Sequence, residues 1–120
     1  MNLDDLRSFA NRVKEKRTGL GKYAVAKVVG VTFDNRQEVL NSMTENTKVR
    51  LVRDRSNPHD FFAIEVRACI EDEWCMAGFI PKTISKNMAV ELDKGTELST
   101  SVLKVTGDDS LRGLLIRIER

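Results

Sequence analysis

From Lys22 to Glu119 the apolar residues recur at every second position in short runs, and turn-forming residues interrupt the runs at close intervals. That period belongs to extended chain, whose successive side chains leave opposite faces, and it confines most of the molecule to half-buried β-strands. In "KYAVAKVVGVTF", Tyr23, Val25, Val29, Val31 and Phe33 share one face while Ala24, Ala26 and Gly30 share the other, which reads as one long strand bent at Gly30. "TKVRLVR" points Val49 and Leu51 inward and Lys48 and Arg50 outward. "FFAIEVRACI" alternates Phe62, Ile64, Val66 and Ala68 with Glu65 and Arg67, the acidic "EDE" forms a hairpin tip, and "WCMAGFI" is the return strand. Two closing strands follow, around Leu98 to Val105 and in "GLLIRIE", joined by the turn "GDDS".

Helical spacing replaces this period in three places. Leu3, Leu6, Phe9, Ala10 and Val13 form an apolar stripe, with Asp4 and Asp5 in the first turn, basic residues in the last and Gly19 as a stop; this predicts an amphipathic helix within residues 1–20. "DNRQEVLNSM" offers an Asp or Asn cap and buries Val39, Leu40 and Met43 in a short second helix. "PKTISKNMAVELDKG" starts with Pro81, ends at Gly95 and buries Ile84, Met88 and Leu92. Helices inserted singly among short strands favour a small, curled or barrel-like antiparallel sheet over a doubly wound fold. The fold class is α+β, mainly β, with the N-terminal helix in 1–20 and one further domain in 21–120.

At 120 residues and 41% hydrophobic the chain closes one core. A net charge of +2 does not give it the overall field of a strongly basic nucleic-acid binder, so any basic surface is local. No run reaches the roughly 20 apolar residues of a membrane helix and the start lacks a signal-peptide core, which reads as a soluble, cytoplasmic protein, associated with the nucleoid at most. Cys69 and Cys75 read as small hydrophobes in or beside strands, and with one His the chain offers no standard four-ligand zinc set. No metal or cofactor is expected. Nor is catalysis: there is no glycine-rich phosphate loop, and no Ser or Cys nucleophile has a plausible partner.

The segment "RDRSNPHDFFAIEV" concentrates unusual chemistry beside a buried strand. Asn57-Pro58 sets a turn, and Asp60 sits at the mouth of the strand that follows. That carboxylate can accept backbone N–H bonds from the turn or a donor from a ligand. Arg53 and Arg55 can pair with Asp60, with Asp54 or with phosphates. On these residues alone, a structural turn with solvated charges is the simpler reading.

The chain nevertheless resembles the HIRAN domain, a module of fork-remodelling helicases that also occurs as free-standing bacterial and phage proteins. The resemblance runs from about Lys27 to the end and rests chiefly on "NPHDFFAIEV" followed by "GFIP" and an amphipathic helix, with "VVG" and "RQ" in support. It implies an OB-like, six-stranded antiparallel β-barrel with two inserted helices, binding single-stranded DNA, in the best understood members by its free 3′ end. Position by position, Asp60 matches the residue that binds the terminal hydroxyl and Asn57 its neighbour. His59 stands where a stacking Tyr is frequent, Phe33 where an aromatic follows the "VVG" strand, and Lys82 at a phosphate contact. Phe79 stands where some relatives carry a polar residue or His, and Thr32 replaces a frequent Arg.

With Arg36, Arg53 and Arg55 as further cations, these residues make the expected nucleic-acid interface. The expected setting is DNA replication, repair or mobile-element maintenance, with a DNA-processing protein as a further partner. Phe33 and Phe79 read equally well as core residues, Arg36 as a surface charge, and Lys82 and Lys86 as an exposed helix face. A protein-interaction adaptor that keeps the fold and lacks DNA binding is the alternative function.

Overall fold

The computed structural model describes residues 23–120, so the helix expected within residues 1–20 lies outside the described residues. Six strands and two helices follow in the order β1 (Tyr23–Lys27), α1 (Arg36–Asn41), β2 (Val49–Arg53), β3 (Ile64–Ile70), β4 (Glu73–Phe79), α2 (Lys82–Asp93), β5 (Ser99–Asp108) and β6 (Leu111–Glu119). The element order is the one the apolar period predicts.

The strands form two antiparallel three-stranded sheets, ordered β1-β6-β5 and β2-β3-β4. Here the expectation of a six-stranded barrel needs correction. The sheets touch at each edge through a single isolated bridge, Val29 to Phe79 on one side and Lys48 to Ser101 on the other, so no continuous ladder closes the ring. On the first edge Gly30 takes a positive φ of 70°, which turns the chain away after one rung. On the second, β5 shifts register between Val102 and Lys104, the sign of a bulge.

The long strand expected over residues 22–33 is also corrected. It ends at Lys27, and the side chains buried in the common core are Ala26 and Val28, while Val29 and Phe33 are exposed. The core meets the other face, Ala26 and Val28, so the alternation itself sends Val29 outward, and the left-handed turn at Gly30 ends the extended run before Phe33. In β3 and β6 the buried alternation holds, with Ile64, Val66 and Ala68 from β3 meeting Leu114, Ile116 and Ile118 from β6 in one core. Cys69 lies opposite Trp74 and Cys75 opposite Ala68, on opposite faces of the same hairpin, so both thiols stay free.

Both helices serve this core. From α1, Val39 and Leu40 are buried, as is Met43 just beyond it. Asn35 occupies the cap position without a side-chain cap bond, contrary to the expected Asp or Asn cap, because side chains of the first turn, Arg36 and Gln37, hold that end to the preceding loop instead. α2 buries Ser85 and Ala89 and packs Ile84, Met88 and Leu92 on the core. It stops at Gly95, φ 86°, with Gly95 N–H donating to Leu92 O and Thr96 N–H to Glu91 O, the paired bonds of a Schellman end.

The two sheets approach tightly at the first edge. A Cβ on Gly78 would lie 2.5 Å from Val29 O and 2.6 Å from a Val28 methyl, so β4 can meet the end of β1 only with glycine there. We expect Gly78→Ala to cost about 1–3 kcal/mol, the usual range for overpacking. Urea unfolding followed by the single Trp checks this: the midpoint should fall at unchanged slope, and an unchanged midpoint would show that the edge has room.

Candidate nucleic-acid interface

Three segments converge on the C-terminal end of β4. On one side Val29 exchanges both backbone bonds with Phe79, at 2.9 Å each, just before the 30–35 turn. On the other, Glu65 pairs with Phe79 and Ile80 N–H donates to Ile64 O at 3.0 Å, which places the 54–63 loop at the head of β3. α2 then leaves from Lys82 and crosses the end of the sheet to reach β2, where Asp93 meets Arg53. The two loops that carry the predicted residues thus flank one strand end, with α2 lying across it.

In the first loop, Phe33 is 65% exposed. Arg36, its side chain only 13% exposed, lies between two rings, with its guanidinium carbon 5.9 Å from the Phe33 centroid and 5.3 Å from that of Phe79. Nη1 donates to Gly30 O at 2.7 Å and Nη2 lies 3.7 Å from Asp34, while Nε is buried without a hydrogen bond. Arg36 is therefore a wedge that props both rings by cation–π contact rather than a solvated surface charge. Phe79 is half-buried beneath it, and Lys82 is exposed at the start of α2.

The second loop satisfies itself by local bonds. Asn57 Oδ1 accepts the N–H groups of His59 at 2.9 Å and Asp60 at 3.1 Å, and Asn57 Nδ2 donates to Asp54 at 3.2 Å. This is the self-bonding turn expected of an Asn-Pro pair. Asp60 Oδ1 accepts Phe62 N–H at 2.9 Å, and Oδ2 has no hydrogen bond to a described residue. Asp60 is half-buried and His59 is exposed. The two openings left by sequence, turn acceptor and ligand acceptor, are thus divided between the two oxygens of one carboxylate.

Arg53 and Arg55 pair with neither Asp54 nor Asp60. Both reach Asp93, at 3.2 and 2.6 Å. Arg53, whose side chain is 9% exposed, also donates to Phe61 O and Ala63 O, so it holds the loop to the end of α2. Arg55 stays 64% exposed. Sequence gave no signal for Asp93, which lies 38 and 40 residues from its partners. Phe61 was legible, since an inward Phe62 sends its neighbour outward: Phe61 is 63% exposed and stands edge-on to Phe62, centroids 5.3 Å apart. Lys86 lies 5.7 Å from the Phe62 ring. Among the described residues no group of His, Cys, Asp or Glu gathers as metal ligands, and no helix is long and apolar enough to cross a membrane.

The HIRAN domain model matches residues 22–114 of the chain. Two solved structures resemble it. The HIRAN domain of human HLTF superposes with a TM-score of 0.61 at 20% identity, over 80% of this chain and 72% of that one, a likeness of fold. A protein from Lactobacillus plantarum superposes with a TM-score of 0.56 at 25% identity, over 80% of this chain and 92% of that one. None of the curated proteins matches the chain.

The hydrogen bonds from Arg55, and then Arg53, hold the Asp93 carboxyl below its ordinary 3.8. A carboxyl whose pKa is lowered on folding stabilises the native state above its unfolded pKa, near 4, and that contribution is lost as pH falls through the lowered folded value. Urea midpoints measured at pH 7 and pH 3 should fall less on acidification in Asp93→Asn than in the native chain. An equal fall in both would show that the pair adds nothing to acid sensitivity.

Proposed function

Because the chain belongs to the HIRAN domain family, we propose that it is a nucleic-acid-binding module that takes single-stranded DNA by its free 3′ end, in replication, repair or mobile-element maintenance. The observation that carries this reading is the carboxylate of Asp60, half occupied by its own turn, half open, and flanked in sequence by the exposed rings of His59 and Phe61. An ionised carboxylate only accepts hydrogen bonds, so its open oxygen takes the proton of a terminal 3′-hydroxyl. A strand that continues past that sugar sets a phosphate against the carboxylate, and like charges at that range repel.

Phe33 and His59 supply stacking faces, which hold bases with little regard to sequence. Lys82 and Arg55, both exposed, hold phosphates. Arg36, Phe79, Asn57 and Arg53 serve from beneath: the first two back the Phe33 ring, and the others fix the Asp60 loop. So few phosphate contacts give a shallow salt slope, about 0.7 per contact in log-log terms for single strands. In this reading DNA is bound and not transformed. The alternative, a protein-interaction adaptor on the same fold, is favoured by one observation: Asp93 neutralises the arginines nearest the loop.

A fluorescence titration with short labelled oligonucleotides separates the two. A strand ending in a 3′-hydroxyl should bind on the order of tenfold or more tighter than the same strand ending in a 3′-phosphate, the scale of one hydrogen bond to a charged group. Asp60→Asn keeps an acceptor for Phe62 N–H and removes the charge, so it should erase that ratio without unfolding the loop. Equal binding of both strands by the native chain removes end recognition, and no binding of any strand at low salt favours the adaptor. In the same assay Phe33→Ala should weaken binding by about 1–3 kcal/mol, one base stack. Unchanged affinity would return Phe33 to an ordinary exposed residue.

A further inference from the structure

Besides the bond from Arg36 to Gly30 O, the 30–35 turn is held by the second residue of α1. Gln37 Nε2 donates to Val31 O at 2.9 Å and to Arg112 O at 3.0 Å, and its Oε1 accepts Arg112 N–H at 2.8 Å. A carboxamide has two N–H donors and one acceptor oxygen, and here every one of these groups engages main chain. The two bonds with Arg112 copy the reciprocal exchange of a strand pair, so Gln37 acts as an added rung on β6. The third hangs the turn from that rung, two residues before Phe33.

The rung is itself braced. The Arg112 guanidinium donates to Asn41 Oδ1 at 3.0 Å, Gly107 O at 3.2 Å and Asp109 at 3.0 Å. A helix of six residues does not hold itself in water, and this one is stapled near both ends, at Gln37 and Asn41, to one residue of β6. Phe33 is 65% exposed, and its ring is backed by Arg36, so its orientation depends on where the turn is pinned.

We propose that Gln37 is a positioning residue for the Phe33 stacking face: it fixes the turn before DNA arrives, so that binding does not have to order it. This rests on the reading that Phe33 stacks a base. Preorganisation raises affinity by removing an ordering cost, without adding a contact to the ligand. The Asp60 loop lies on the far side of β4 and has no bond to Gln37, so end discrimination is independent of this device.

The test uses the full chain and a thymidine oligonucleotide in 3′-hydroxyl and 3′-phosphate forms. Gln37→Met keeps the length of the side chain and deletes all three bonds. It should weaken binding of the hydroxyl strand about 5- to 150-fold, the span of one lost stack, while the hydroxyl-to-phosphate ratio stays at the native value. Added to Phe33→Ala it should cause no further loss, the non-additivity of two residues acting through one contact. Without DNA, amide exchange at residues 31–35 should quicken. If Gln37→Met does not fold, Gln37→Glu, which keeps the acceptor for Arg112 N–H and loses both donors, carries the same comparisons. Additive losses, native affinity or a collapsed ratio would overturn the proposal. A weakened Phe33→Ala beside an unaffected Gln37→Met sinks the positioning role alone, whereas native binding by Phe33→Ala sinks the stacking reading and this inference with it.

Discussion

The arrangement depends on one close contact, where the end of β1 meets the end of β4. The reciprocal bonds between Val29 and Phe79 form the single rung at that edge, and the missing side chain of Gly78 is what lets the two backbones approach. Because β3 lies on the other side of β4, this rung sets the 30–35 turn and the 54–63 loop around one strand end. Without it, the two loops would belong to separate sheets. Gly30, at positive φ, then turns the chain into the exposed loop that carries Phe33.

Around this strand end most charges are already engaged in holding the fold. Arg53 clasps two carbonyls and Asp93, Arg36 is wedged between rings, and Asn57 serves its own turn. The groups left over are one oxygen of Asp60, two exposed Phe rings, His59 and Lys82, with Arg55 ion-paired to Asp93 but still exposed. That division makes physical sense for a small domain with a net charge of +2. Selectivity in the proposed reading comes from a fixed acceptor and fixed rings, not from a broad positive field, and fixing them takes the buried cations.

Much of this was legible in the sequence because it is local. The two-residue period marked the strands, the 71–72 hairpin tip appears where "EDE" placed it, and Pro81 and Gly95 bracket α2. The Asn57 turn was readable because an Asn side chain bonds the residues immediately after it. What was not legible is long-range. Nothing near Arg53 announces Asp93, and nothing near Gln37 announces Arg112, 75 residues away. The facing of Val29 and Phe33 failed because both faces of this run carry apolar residues and periodicity alone does not say which one meets the core, which is the face of Ala26 and Val28. Nor can it say whether Gly30 bends the strand or ends it. The ring was over-read because two curled sheets and a closed barrel share the same strand pattern, and only edge pairing distinguishes them.

The most direct measurement is a crystal structure of the chain with a short single strand ending in a 3′-hydroxyl. The expected result places the terminal sugar within hydrogen-bond distance of Asp60 Oδ2, with the last bases against Phe33 and His59 and the adjoining phosphates near Lys82 and Arg55. A strand lying on another face, or one that runs past Asp60 with its end in solvent, would contradict end capture at this strand end.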